Sequence, residues 1–113
     1  MKAKIALLSL LFLIIASTCC NRIIPERVIA QIDTTSWIKE SFRVSPDSQR
    51  LAYAARIGEK RFVVADGQEG KQYDGIINLY GARIVFDSPD RLHYLAVNFS
   101  NNKMNIYLVQ EKI

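Results

Sequence analysis

Beyond residue 20 the chain contains no cysteine, and its 113 residues include a single histidine, His93. A body without thiols excludes disulfide staples, thiolate catalysis and zinc sites built from Cys and His clusters. Helical periodicity is also missing: after residue 20 no window repeats its apolar residues at the 3.6-residue spacing of an amphipathic helix. Nor is there a block of like charge. The net charge is +4, of which Lys2 and Lys4 supply two, and the rest alternates in groups such as Glu59-Lys60-Arg61 and Glu69-Gly70-Lys71. This interspersed pattern lacks the clustered basic patch of a nucleic-acid binder, so no nucleic-acid partner is expected.

What is present begins at the N-terminus. Met1-Lys2-Ala3-Lys4 is followed by an apolar run from Ile5 to Ile15, broken only by Ser9, and then by the small residues Ala16, Ser17 and Thr18. A basic tip, a short apolar core and a small-residue exit form the pattern of a secretory signal. Residues 1–20 are therefore expected to be an export signal or an N-terminal anchor helix. The run is shorter than the roughly 20 residues of a bilayer span. Ile15-Ala16-Ser17-Thr18-Cys19 resembles the bacterial lipoprotein processing box, whose cysteine is lipidated. Thr18 stands where that box usually has Gly, Ala or Ser, and choosing Cys20 instead puts Cys19 there. Lipidation at Cys19 or Cys20, plain cleavage and an uncleaved anchor all remain open. Each implies export, either to the periplasm or to a membrane-anchored place at the cell envelope.

Residues 21–36 read as a linker, with Pro25 near its start and a possible strand at 27–32. From Trp37 onward short β-type runs alternate with turn residues about every ten positions, the spacing of an all-β domain. Strands are expected at 38–44, 50–57, 61–65, 72–79, 83–86, 92–99 and 105–109. The tripeptide Ser45-Pro46-Asp47 returns 43 positions later as Ser88-Pro89-Asp90, and each copy leads into a similar strand beginning Arg50-Leu51 or Arg91-Leu92. Aromatics follow the same repeat: Trp37 with Tyr80, Phe42 with Phe86, Tyr53 with Tyr94, Phe62 with Tyr107. They are expected to fill the space between packed sheets.

Residues 42–53, Phe-Arg-Val-Ser-Pro-Asp-Ser-Gln-Arg-Leu-Ala-Tyr, resemble the bacterial WD40-like β-propeller repeat, the kind found in the propeller of the Tol–Pal translocation protein. The segment from Phe62 to Gly75 resembles a Val-Val-Asp-Gly…Gly…Tyr-Asp subtype of exported proteins. This resemblance implies an all-β fold of two antiparallel propeller-type blades, an incomplete β-propeller. The first repeat is 37–79, with 72–79 as its outer strand. The second, 80–113, is truncated and has no outer strand of its own. Ser48 stands where the repeat usually has glycine, which a type I turn accepts. Residues 27–32 are expected to pair with 105–109 and complete the second blade. Two blades fall short of the roughly four to eight of a propeller. Self-assembly into a ring, sheets stacked face to face, or a fragment of a longer ancestor would each deal with the apolar faces left bare.

No catalytic constellation emerges. His93 lies on one strand face with Leu95 and Val97 and reads as a structural or surface residue. Asp66, Glu69 and Asp74 lie in a glycine-bearing stretch but lack the spacing of a calcium loop. Gly67, Gly70 and Gly75 do not form a phosphate loop. Asn98-Phe99-Ser100 matches the glycosylation acceptor pattern and reads as chance. No cofactor and no metal are expected, and the protein is not expected to be an enzyme. The reading is a non-catalytic binding or scaffolding protein of the cell envelope, with a protein partner or self-association and a membrane contact through its signal or lipid. Contacts are expected at the turns 45–49, 66–71 and 87–91. The alternatives are a severed propeller portion of a larger exported hydrolase, and a structural envelope lipoprotein without a specific ligand.

Overall fold

The computed structural model describes residues 22–78 and 83–113. The expected export segment with Cys19 and Cys20, and the aromatic Tyr80, lie outside the described residues. Within them the chain is all-β, with two antiparallel sheets, neither closed. The first sheet contains β1 (Trp37–Val44), β2 (Leu51–Ile57), β3 (Lys60–Ala65) and β4 (Gln68–Glu69) in chain order. The second contains β5 (Gly75–Ile76), β6 (Val85–Ser88), β7 (Arg91–Ser100) and β8 (Lys103–Lys112). Here β7 is central: β8 runs along one edge in an unbroken register, while β6 and β5 share the other.

The turns have local causes. In Ser45-Pro46-Asp47-Ser48 the Ser48 N–H donates to the Ser45 carbonyl at 2.9 Å, and the Ser45 hydroxyl donates to Asp47 at 2.6 Å. The Asp47 carboxylate also accepts from the Gln49 N–H. Ser48 has φ of 61°, in the left-handed region that favours glycine. The expectation that its position is an ordinary type I site is therefore corrected: a type I turn is followed by a left-handed residue, the longer hairpin geometry. The second copy keeps the Ser88–Asp90 hydrogen bond at 3.0 Å but closes tightly, with Ser88 opposite Arg91. It lacks the two residues Ser48 and Gln49. Asp66-Gly67 and Asn101-Asn102 take positive φ at both positions, as two-residue hairpins require.

Both hairpins hold corresponding residues at corresponding places. Tyr53 faces Val64 as Tyr94 faces Val109, and Phe62 faces Ala55 as Tyr107 faces Ala96. Yet the two tyrosine faces do not meet. The small side chains of Ala52, Val63 and Ala65, on the opposite face of the first sheet, leave room for Leu92, Tyr94 and Ala96 of the second. The sheets are thus stacked head to tail, with Tyr94 fully buried between them. Burial pushes the Tyr94 hydroxyl far above the usual phenol range, and its 2.6 Å hydrogen bond to Glu111 acts in the same direction. Gly70 lies close by: an added Cβ would lie 3.1 Å from the Val63 carbonyl oxygen and 3.3 Å from Glu111, tighter than ordinary contact.

Two expectations about strands are corrected. Residues 27–32 form no strand and do not complete the second sheet. Ile29, Ala30 and Ile32 instead cover the Leu51, Tyr53 and Phe62 face of the first, beside Trp37, whose ring meets Tyr53 edge-on at 6.3 Å. An apolar lid over an otherwise bare face removes that face's apolar surface from water. The expected outer strand 72–79 is also replaced. Tyr73 exchanges two backbone hydrogen bonds with Arg61 of β3, at 2.8 and 2.7 Å, and two residues later the chain is already in the second sheet. Leu79 lies outside the described residues.

Ser41 solves a local problem. The β1–β2 register slips between Ile38 and Arg43, which takes the chain around Ser41 out of regular pairing. The Ser41 hydroxyl, 1% exposed, accepts from the Ala54 N–H at 2.7 Å and donates to the Ile38 carbonyl at 2.5 Å. It fills the gap that the bulge leaves in the ladder. Ser41→Ala removes both bonds and strands a buried N–H, so it is expected to lower unfolding stability by about 1–3 kcal/mol. Urea titration measures this; a loss below about 0.5 kcal/mol, the range of a neutral surface change, would show that the bulge does not need the hydroxyl.

Candidate interaction surface

The acids that cluster in sequence do not converge in space. Asp66 pairs with Arg50 at 3.3 Å, and Asp74 with Lys60 at 2.7 Å. Glu69 lies exposed on β4. No group of three potential metal ligands occurs among the described residues. His93 stands on the outer face of β7, its Nδ1 2.7 Å from Asp87. The Asn98 side chain is engaged within the fold, accepting from the Asp74 N–H at 2.9 Å. The expected contact turns split between the sheets: 45–49 and 66–71 are tied together by Arg50–Asp66, whereas 87–91 is held by Ile113, whose N–H donates to Asp90 at 2.7 Å.

Asp74 is the most connected of these residues. One carboxylate oxygen accepts from Lys60, next to the β2–β3 turn, and the other from the Phe99 N–H of β7 at 2.8 Å. Its own N–H donates to the Val97 carbonyl at 3.0 Å. The Lys60 hydrogen bond, then that from Phe99, holds the Asp74 carboxyl below its ordinary value. Asp47 and Asp90 are lowered likewise, chiefly by the hydroxyls of Ser45 and Ser88.

A cleft of about 670 Å³ opens between the bulge of β1 and the end of β5. Lys39, Glu40, Arg56 and Arg61 line it with Trp37 and Ile76. Among the described residues its one hydroxyl is Ser41, already committed to the backbone, and the lining side chains carry charge of both signs.

A different surface is more unusual. On the outer face of the second sheet, Leu95 faces Leu108, Val97 faces Ile106 and Phe99 faces Met104. Phe99 is 64% exposed, Leu108 60%, Met104 55% and Ile106 53%. Val85 on β6 joins the same face, opposite His93. The corresponding face of the first sheet is where the second sheet packs, and Val63, the counterpart of Leu108, is wholly buried there. Among the described residues the stack is therefore lidded at one end, while at the other Val97 is buried and Leu95 half-buried but Phe99, Met104, Ile106 and Leu108 stand bare. Sequence reasoning foresaw bare apolar faces but not which one. It missed Ser41 and the Tyr94–Glu111 bond altogether.

No protein-family model matches the chain, and neither does any curated protein or any solved structure. Among the described residues no helix is long and apolar enough to cross a membrane.

Acid sensitivity follows from the carboxylates. A carboxyl whose folded pKa is depressed contributes stability above its unfolded pKa of about 4, and loses it as pH falls through the folded value. Melting temperature is expected to hold between neutrality and pH of about 5 and to fall below about 4. Asp74→Asn should be less stable at pH 7 and show a shallower acid fall than the parent. Calorimetry across pH checks this; parallel curves for the two proteins would remove Asp74 from the account.

Proposed function

We propose that this protein is a non-catalytic binding or scaffolding protein of the cell envelope, and that the bare outer face of the second sheet is its contact surface. One observation carries the reading: side chains that in the first sheet are buried by a neighbouring sheet stand exposed in the second. Apolar surface of this kind is normally covered in the working form of a soluble protein. The head-to-tail stacking, the two Ser-Pro-Asp turns and the matched register support reading the two sheets as propeller-type blades of WD40-like repeats, each offering its outer face to the next. Its partner is a protein that presents a complementary apolar sheet surface. Val85→Glu with Phe99→Glu places two charges on this face without altering any residue of β8 or the core. Envelope extracts passed over the immobilised parent are expected to yield a retained protein that the double variant loses, with circular dichroism unchanged. Equal retention by both would contradict the reading.

Residues 1–20 deliver the chain to the envelope in this proposal, with Cys19 or Cys20 as the lipidated residue. Intact mass of the membrane-extracted protein tests that directly. A chain starting at Cys19 or Cys20 and carrying added acyl mass is expected; an unmodified full-length chain would mean an uncleaved anchor instead.

A second reading, the propeller portion of a larger exported hydrolase, is favoured by the same openness, since an array continued in a neighbouring chain would bury the outer face. A neighbouring reading frame with further repeats or a hydrolase domain would mark it.

A further inference from the structure

The two sheets end differently. The outer edge of β3 is occupied at both ends, by Gln68 and Glu69 of β4 and by the Tyr73 bridge to Arg61. The outer edge of β8 has no partner strand among the described residues, although β8 is ten residues long. Exposed edges are usually blunted by charged side chains, proline, bulges or short length, and β8 carries charges only at its ends, at Lys103, Glu111 and Lys112. β8 has no proline, and its ten pairs with β7 run without a slip. The two-residue turn Asn101-Asn102 makes Ser100 and Lys103 a hydrogen-bonded pair. By alternation, the N–H and C=O groups of Met104, Ile106, Leu108 and Gln110 point away from β7.

We infer that β8 pairs antiparallel with β8 of a second copy, about a two-fold axis at Tyr107, so that each chain adds a fifth strand to the other's second sheet. A two-fold axis perpendicular to the sheet keeps faces matched, so residues can oppose only others of the same parity. Of the registers this allows, the one centred on Tyr107 sets Lys103 opposite Glu111 twice and Ile106 opposite Leu108 twice. Centring on Leu108 sets Met104 opposite Lys112 and Ile106 opposite Gln110, and loses both matches. Opposite charges and apolar pairs directly across strands are the favourable combinations. Glu111 already accepts from Tyr94 through one oxygen, which leaves the other for the partner's Lys103. The pairing uses the backbone edge of the sheet and does not depend on the outer-face reading.

Sedimentation equilibrium of the full chain in mild detergent is expected to give twice the chain mass. Lys103→Glu turns two attractions into repulsions and should weaken the dimer about tenfold. Leu108→Pro removes an outward N–H and should leave a monomer. Tyr107→Cys puts two thiols at the axis, and peptide mapping after mild oxidation should return a 107–107 disulfide, whereas Asn105→Cys should give little 105–105 link. A parent that stays monomeric, a dimer that survives Leu108→Pro, or equal linking at 105 and 107 would each overturn the proposal. The Val85→Glu, Phe99→Glu variant should remain dimeric, which separates this contact from the outer face.

Discussion

The passage of the chain from one sheet to the other at Tyr73 and Asp74 is the constraint on which the rest of the structure depends. Within two residues the backbone bonds to Arg61 in the first sheet and to Val97 in the second. The Asp74 carboxylate then ties the Lys60 turn to β7. Among the described residues, much of the remaining contact between the sheets is side-chain packing on a face made of alanine and valine. Small side chains offer little area per residue.

From that crossing the asymmetry of the molecule follows. The first sheet lies between the segment 29–32 on one face and the second sheet on the other, so β2 is buried on both sides from Leu51 to Ala55. Among the described residues the second sheet has a neighbour on one face only. Its β8 is exposed from Lys103 to Leu108, which leaves an apolar face and a polar edge at the same end of the stack. A face offers hydrophobic area and an edge offers directed hydrogen bonds, so the two suit different contacts.

Much of the strand pattern was legible because its causes are local. Proline and serine in Ser45-Pro46-Asp47, glycine at 67 and the Asn101-Asn102 pair mark turns by their own backbone preferences. The aromatic offsets anticipated the register of Tyr94 and Tyr107. What could not be read was partner choice, which is non-local. Residues 72–79 suit a strand, but nothing in them distinguishes the edge of β3 from that of β7. Residues 27–32 are equally β-prone, and an extended apolar cover needs the same residues as a strand. The candidate surface was legible only in part: β8 is apolar on both faces, with Ile106 and Leu108 opposite Tyr107 and Val109, a pattern that signals two neighbours. Lys39-Glu40-Ser41 breaks the alternation of β1 and was the one sequence trace of its bulge.

Native-state hydrogen exchange under rising denaturant tests the two-sheet account most directly. The Tyr73 and Asp74 amides, donated across to Arg61 and Val97, should exchange only with global unfolding, together with the core amides of β2 and β7. Loss of protection at Tyr73 and Asp74 well before both sheets, or separate opening of β2 and β7, would contradict a single unit held together at that crossing.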